Sequence, residues 1–253
     1  MINNQDILII IQARTGSTRL PNKMLIPFAN GKTILEIIVE RLKLFVDLPI
    51  IIATTQNKAD DALEELAKSL KVDFYRGAEN DVLNRFVSAA EYAGAKRIIR
   101  VCADNPFLNA LAMNELVLFA SQSSADYISF RINGKPSIKT HFGFWGEYVT
   151  LDALKKVASK TGAPLYREHV TNYVYEHPEL FKNSWINSTQ SLEKREDIRL
   201  TIDTKTDFEN VSNLYKIVYE IYSNPTLDEV VSILDKYPLL LKQMKFEIIK
   251  NTK

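Results

Sequence analysis

Ile7-Leu8-Ile9-Ile10-Ile11 is an unbroken aliphatic run. That pattern suits a strand covered on both faces of a parallel sheet, where alternation with polar residues is not needed. Thr33-Ile34-Leu35-Glu36 reads as a capping box, and apolar positions continue at helical spacing to Phe45. Ile50 to Ala53 predicts a second buried strand, Ala59 to Leu70 an amphipathic helix, and Val72 to Tyr75 a short third strand. A helix is expected over Val82 to Tyr92, and a fourth strand over Arg97 to Ala103, stopped by Asp104-Asn105-Pro106. Leu111 to Ala120 reads as helix and Asp126 to Phe130 as a fifth strand. Helical spacing returns over Thr150 to Lys160 and Leu165 to Glu176. A late strand is expected over Arg199 to Ile202, and then a helix capped by Thr206 and Glu209. The tail from Thr226 to Ile249 reads as helical.

Strands that alternate with helices of about ten residues require right-handed crossovers. The expected fold is therefore α/β, a doubly wound, mostly parallel sheet, formed by one domain over residues 1–253. Residues 131–150 depart from the alternation and carry Gly and aromatic residues, as expected of an insertion, lid or acceptor-side segment. Residues 226–253 form the helical tail, which could pack on the sheet or on a partner chain.

Composition adds limits. With 46% hydrophobic and 25% charged residues the chain can bury a sizeable core, and a net charge of +1 offers no global field for nucleic acid or an anionic membrane. Cys102 is the single cysteine, so no intramolecular disulfide can form. The start, Met1 to Asp6, is polar and the run after it is too short to span a membrane, so a cytoplasmic protein is expected.

Open α/β sheets bind ligands outside the carboxyl ends of their strands. Those ends present Gln12, Ala13, Arg14, Thr15, Gly16, Ser17, Thr18, Arg19 and Lys23 after the first strand, then Thr54, Arg76, Asp104 and Asp203 after later ones. Arg14, Arg19 and Lys23 fall within ten residues around small, hydrogen-bonding Gly16, Ser17 and Thr18. Such a loop can wrap a triphosphate with amide donors while its cations neutralise the outer phosphates. It matches neither the Walker A nor the dinucleotide glycine pattern. Taken residue by residue, a solvated surface loop fits as well; clustering and position favour the phosphate reading.

Asp104 and Asp203 make a platform for Mg²⁺, which takes a few carboxylates together with substrate phosphates. Asp104 could instead be a turn-former before Asn-Pro, and Asp203 a helix N-terminal acid. Tyr166-Arg167-Glu168-His169 could meet an anionic acceptor or could be a solvated amphipathic face. Cys102 reads as a small buried hydrophobe and His141 and His177 as structural or surface residues. Phe142, Phe144, Trp145 and Tyr148 read as core or lid packing, with sugar stacking as the alternative.

Ile10-Ile11-Gln12-Ala13-Arg14-Thr15-Gly16-Ser17-Thr18-Arg19-Leu20-Pro21-Asn22-Lys23 closely resembles the signature of the cytidylyltransferase family that includes spore-coat polysaccharide biosynthesis members, with ketodeoxyoctulosonate and acylneuraminate cytidylyltransferases as more distant relatives. Ala53-Thr54-Thr55, Arg76-Gly77 with Asp81-Val82-Leu83, Arg100 to Pro106, Arg167 to Thr171 and Arg199 to Thr204 follow in order, so the similarity runs from residue 7 to about 210. The resemblance implies a Rossmann-like nucleotidyltransferase that moves CMP from CTP to a sugar or sugar-acid hydroxyl and releases pyrophosphate. It implies that Arg14, Arg19 and Lys23 hold phosphates, that Asp104 and Asp203 hold Mg²⁺, and that Gln12, Ala13, Gly16, Ser17, Thr54, Arg76 and Asp81 border the nucleotide. Arg167, Glu168 and His169 would lie on the acceptor side, and a homodimer is implied.

Two positions depart from the family pattern. Asn22 stands where Gly is usual, and Asn tolerates positive φ better than most residues. Residues 137–149 lack the usual Asp-Gly-containing acceptor segment. A non-catalytic nucleotide- or sugar-binding homologue is therefore one alternative. A metal-dependent glycosyltransferase is another, although Asp104-Asn105-Pro106 offers one acid where that class places a pair.

Overall fold

A computed structural model describes residues 6–251; the polar start, Met1 to Gln5, and the tail residues Thr252 and Lys253 lie outside the described residues. The first four strands, β1 (Ile7–Gln12), β2 (Ile50–Thr55), β3 (Asp73–Gly77) and β4 (Arg97–Cys102), pair in parallel in the order β3-β2-β1-β4. Between them lie α1 (Ile34–Phe45), α2 (Asp61–Ser69) and α3 (Val82–Tyr92). The expected box caps α1: Thr33 Oγ1 accepts from Glu36 N, and the Glu36 carboxylate accepts from Thr33 N.

Beyond β4 the chain adds α4 (Ala110–Gln122), β5 (Tyr127–Ile132), the two-residue β6 (Lys135–Pro136), β7 (Glu147–Thr150) and α5 (Leu151–Lys160). β7 lies antiparallel between β4 and β5. Residues 131–150 thus contain the β6 hairpin and also a strand of the central sheet. Phe142, Phe144, Trp145 and Tyr148 are all buried, which decides for core packing over a sugar platform.

After α6 (Pro164–Glu168) and α7 (Asn172–Glu176) comes β8 (Asn183–Asn187), which adds in parallel to β5. The chain closes with α8 (Lys205–Ile221), α9 (Leu227–Leu234) and α10 (Pro238–Asn251).

The sheet separates two hydrophobic clusters. Ile7, Ile9 and Ile11 face one with α1, α4, α8 and α9; Leu8 and Ile10 face the other with α3, α5 and α7. Strand side chains alternate faces, so a fully aliphatic β1 is what burial on both sides demands. Each such isoleucine contributes about 1.5–3 kcal/mol by leaving water.

Four expectations change. The helix over Leu165 to Glu176 is broken at His169–Thr171, because the Thr171 side chain turns into the sheet to bond Arg100 and Glu147. Residues 199–202 form no ladder. The chain bends at Thr201, and its amides bond isolated carbonyls: Leu200 N to His141 O at 2.7 Å and Ile202 N to Asp104 O at 3.0 Å. The cap of α8 is Thr204 with Asp207, not Thr206 with Glu209. The helical tail is two helices, parted by a turn before Pro238. Among the described residues, no helix is long and apolar enough to cross a membrane.

Candidate active site

The loop after β1 is anchored by a residue that sequence reasoning passed over. Asp60, buried at the start of α2, accepts from Thr15 N at 2.7 Å and Thr15 Oγ1 at 2.6 Å. Its other oxygen accepts from Thr55 N at 3.3 Å and from Thr55 Oγ1. Burial opposes its charge most strongly, but the hydroxyl and amide donors of Thr15 and Thr55 outweigh it together, and its pKa falls below the ordinary carboxylate value. The only hint in the sequence was an acid near the start of a helix, a position occupied in most helices for other reasons.

From this anchor the loop turns back on itself. Asn22 N donates to Thr15 O at 3.0 Å, and Asn22 takes φ of 59°, a left-handed conformation that Asn tolerates better than most residues. Ser17 N donates to Thr15 O at 2.8 Å, and Gly16 passes close to Glu79.

The turn carries two cations to two acids. Lys23 Nζ lies 3.4 Å from Asp104 Oδ2 and donates to Ile202 O at 2.6 Å. Arg19 Nη2 lies 2.7 Å from Asp203 Oδ1. Asp104 follows β4 by two residues and Asp203 follows Ile202, whose amide bonds Asp104 O, so the two chain segments that carry the acids are tied together. Both carboxylates remain roughly a third exposed, accessible to a ligand.

Asp203 is braced from behind. Arg199, 1% exposed, donates Nε to Asp207 Oδ1 at 2.7 Å and Nη2 to Asp207 Oδ2 at 3.0 Å and to Asp203 Oδ2 at 2.8 Å. Its Nη1 donates to His141 Nδ1 at 2.8 Å, which leaves the His141 proton on Nε2. Burial, and then the positive charge of Arg199, lower the His141 pKa. Gly143 sits beside this segment at φ of +66°, and a Cβ there would meet Asn105 Oδ1 at 3.2 Å and Thr201 Cγ2 at 3.3 Å. A side chain at this position is disfavoured by the positive φ and by the close approach of Asn105 and Thr201.

The other expected residues divide. Ala13 is buried with its amide on Ala53 O, Thr54 is fully buried at the end of β2, and Gln12 ends β1 on the face covered by α3. Arg14 reaches Glu79 at 3.7 Å across the cleft between the first and third loops. Arg76 is engaged away from the acids: Nε donates to Thr55 O, Nη2 to Asn57 O, and Nη1 to Asp61 and Glu64. Asp81 caps α3 and pairs with Arg167 at 3.3 Å. Glu168 and His169 are exposed at the end of α6, and among the described residues no side-chain bond joins either to Asp104 or Asp203.

Burial of the thiol raises the pKa of Cys102 to about 11, so it stays protonated, but the residue is only partly buried at the end of β4 and lies in neither hydrophobic cluster, unlike the small buried hydrophobe expected. A cavity of about 430 Å³ between residues 194–197 and 241–245 contains none of these residues, and its Arg195 is already paired with Asp197 and Asp235.

Known proteins share both this fold and this sequence. A family model described as cytidylyltransferase matches residues 8–244. An uncharacterized protein of Methanocaldococcus jannaschii is 40% identical over 233 residues, 92% of this chain and 91% of the relative. The spore coat polysaccharide biosynthesis protein SpsF of Bacillus subtilis is 33% identical over 241 residues, 92% of this chain and 95% of that one. The solved structure of a cytidylyltransferase from Leptospira borgpetersenii superposes with a TM-score of 0.80 at 30% identity, covering 93% of this chain and 96% of that chain. With a cationic loop and two neighbouring acids at the rim of a doubly wound sheet, and with a family match over nearly its whole length, this chain belongs to the cytidylyltransferase family, whose chemistry is nucleotidyl transfer.

Proposed function

We propose that the protein transfers CMP from CTP to a hydroxyl of a sugar or sugar acid, releasing pyrophosphate, with Mg²⁺ as cofactor. The observation that carries this reading is the double pairing of Lys23 with Asp104 and Arg19 with Asp203. Loop cations and acids neutralise one another at one spot, and a triphosphate with its divalent ion would engage both sets at once.

The residues fit the metal. Among the described residues no group of three or more His, Cys, Asp or Glu gathers to cage an ion. Two part-exposed carboxylates are what an ion needs that draws its remaining ligands from phosphates and water, as Mg²⁺ does. Asp104 and Asp203 would hold it, and bound there it would neutralise charge growing on the α-phosphate and the leaving pyrophosphate.

The chain's own part is to bind and align. Lys23 and Arg19 move their charge from the acids to the β- and γ-phosphates, and Arg14 joins them. The loop amides, fixed through Thr15 and Asp60, present donors in a set geometry. The acceptor oxygen attacks the α-phosphorus in line, the bond to the β-phosphate oxygen breaks, and the acceptor proton is released. No covalent nucleophile is needed. Arg167, held to Asp81 at the start of α3, marks the acceptor side with Glu168 and His169. The likeness to SpsF supports an acceptor destined for surface polysaccharide or a related glycoconjugate. We further propose that the enzyme works in the cytoplasm as a homodimer.

The test is a thermal-shift panel of CTP, UTP, GTP, ATP and TTP with Mg²⁺, followed by pyrophosphate release from the stabilising nucleotide with a panel of sugar acids. Stabilisation by CTP above the others, and release that depends on the acceptor, are expected. Nucleotide binding without release under any acceptor would favour the non-catalytic alternative.

A further inference from the structure

The last helix turns an acid inward and leaves large apolar side chains in water. Of the 14 residues of α10 only Met244 and Glu247 are buried. Met244 joins the larger hydrophobic cluster, whereas Phe246 is 63% and Ile249 66% exposed. Rotating the helix to bury those apolar groups would carry Glu247 out to solvent, and the hydrophobic effect favours that rotation. The observed orientation is therefore one that packing alone does not explain.

Glu247 is 4% exposed, and its carboxylate is met by a hydroxyl and an amide rather than by a cation. Thr204 Oγ1 donates to Glu247 Oε2 at 3.0 Å while it accepts from Asp207 N at 3.1 Å, so the acid is tied to the N-cap of α8. One turn further along α10, Asn251 Nδ2 donates to Glu247 O at 2.8 Å and to Glu247 Oε2 at 3.3 Å. With its amino group on Glu247, Asn251 presents Oδ1 to the loop after β1, where Arg19 Nη1 lies 3.5 Å away. Nη2 of the same guanidinium reaches Asp203, the residue before Thr204, at 2.7 Å. A ring closes through Thr204, Glu247, Asn251, Arg19 and Asp203.

Asp203 and Asn251 are the two side chains that meet Arg19 among the described residues, and the proposed function takes the first away. Once Asp203 serves Mg²⁺, Asn251 is the protein contact that Arg19 keeps. A guanidinium tethered on one edge has less freedom to lose when it meets phosphate, and preorganisation of this kind strengthens binding. At 3.5 Å the tether is slack while Asp203 holds the arginine, and it has room to tighten on release. Glu247 and Asn251 lie beyond residue 244, where the match to the family model ends.

We infer that α10 is an arm that positions Arg19 for the β- and γ-phosphates, with Asn251 as its contact and Glu247 as the residue that fixes Asn251 to the cap of α8. Both are positioning residues, since neither touches the reacting atoms. The inference rests on the reading of the protein as a CTP-dependent transferase. The test is calorimetric titration of CTP and CMP with Mg²⁺, and of inorganic tripolyphosphate without it, into the unaltered protein, Asn251→Ala, Glu247→Met and Glu247→Gln. Asn251→Ala and Glu247→Met should bind CTP and tripolyphosphate roughly three- to tenfold more weakly, less than the loss of a direct charged contact because Arg19 itself remains. CMP lacks the phosphates that Arg19 meets, so its affinity should not change. Glu247→Gln keeps an acceptor for Thr204 and Asn251 and should restore most of the CTP affinity. Equal losses for CTP and CMP would reveal a merely structural helix and overturn the inference. So would unchanged CTP affinity in Asn251→Ala, a half-buried position at the end of α10 where the substitution opens no cavity in the core. No binding of CTP by the unaltered protein would remove the transferase reading, and this inference with it.

Discussion

The ammonium of Lys23 sits 3.4 Å from the carboxylate of Asp104, 81 positions further along the chain. Lys23 is mostly buried while Asp104 stays open to solvent, so the cation is held by the fold and the acid is free to change partners. On the proposed role, Lys23→Met should act in opposite directions on two ligands. The triphosphate should bind more weakly by roughly tenfold or more, as loss of a charge-assisted contact implies. Mn²⁺ without nucleotide, followed by its paramagnetic signal, should bind more tightly because Asp104 has lost its internal counter-ion. Weaker Mn²⁺ binding would mean that the lysine organises the acids rather than competing for them.

Asp60→Ala should remove the loop's anchor. Thr15 and Thr55 would lose their shared acceptor in a buried setting, at a cost of about 1–3 kcal/mol in chemical denaturation. Triphosphate affinity should fall as well, although Asp60 touches no phosphate in the proposed complex. Unchanged affinity in a folded variant would show that the loop holds its shape without Thr15.

Asp207→Ala should destabilise the site by about 1–3 kcal/mol, because the buried Arg199 Nε loses its acceptor and Asp203 is left as the remaining counter-ion. Replacing both partners, Arg199→Met with Asp207→Leu, should recover much of the stability but not the brace on Asp203. The double variant should therefore melt near the unaltered protein and still turn over poorly. Full activity in it would dismiss the brace.

His141 gives a pH dependence with a defined sign. Its folded pKa lies below the unfolded value near 6.5, so the unfolded chain takes up a proton first. The stability it contributes is present above that value and is lost as pH falls through the folded pKa. Unfolding free energy should drop on acidification from pH 7 toward 5, and His141→Gln should flatten that slope. Asp60 and Asp207, also depressed, act at lower pH, below the ordinary carboxylate range.

Much of this architecture was legible because it is local. The aliphatic β1, the Thr33–Glu36 box and the Val82–Tyr92 helix each state their structure within a dozen residues. β8 was invisible because Asn183-Ser184-Trp185-Ile186-Asn187 carries one buried aliphatic residue and takes its strand form from β5. The Arg199–Ile202 run looked like a strand from its side chains, but hydrogen bonding decides strands, and its amides find lone carbonyls. The same limit applied to the site. The cluster Arg14, Arg19 and Lys23 advertises itself in sequence, whereas Asp60, Glu247 and Asp207 matter through partners that only folding supplies.

The central claim is that the loop after β1 and the acids Asp104 and Asp203 share one metal-bound triphosphate. Calorimetric titration of CTP with and without Mg²⁺, in the unaltered protein and in Asp104→Asn, tests it most directly. Mg²⁺ should tighten CTP binding by at least about tenfold in the unaltered protein, a coupling free energy of ~1.4 kcal/mol, and should do little in Asp104→Asn. Equal tightening by Mg²⁺ in both proteins would contradict the account.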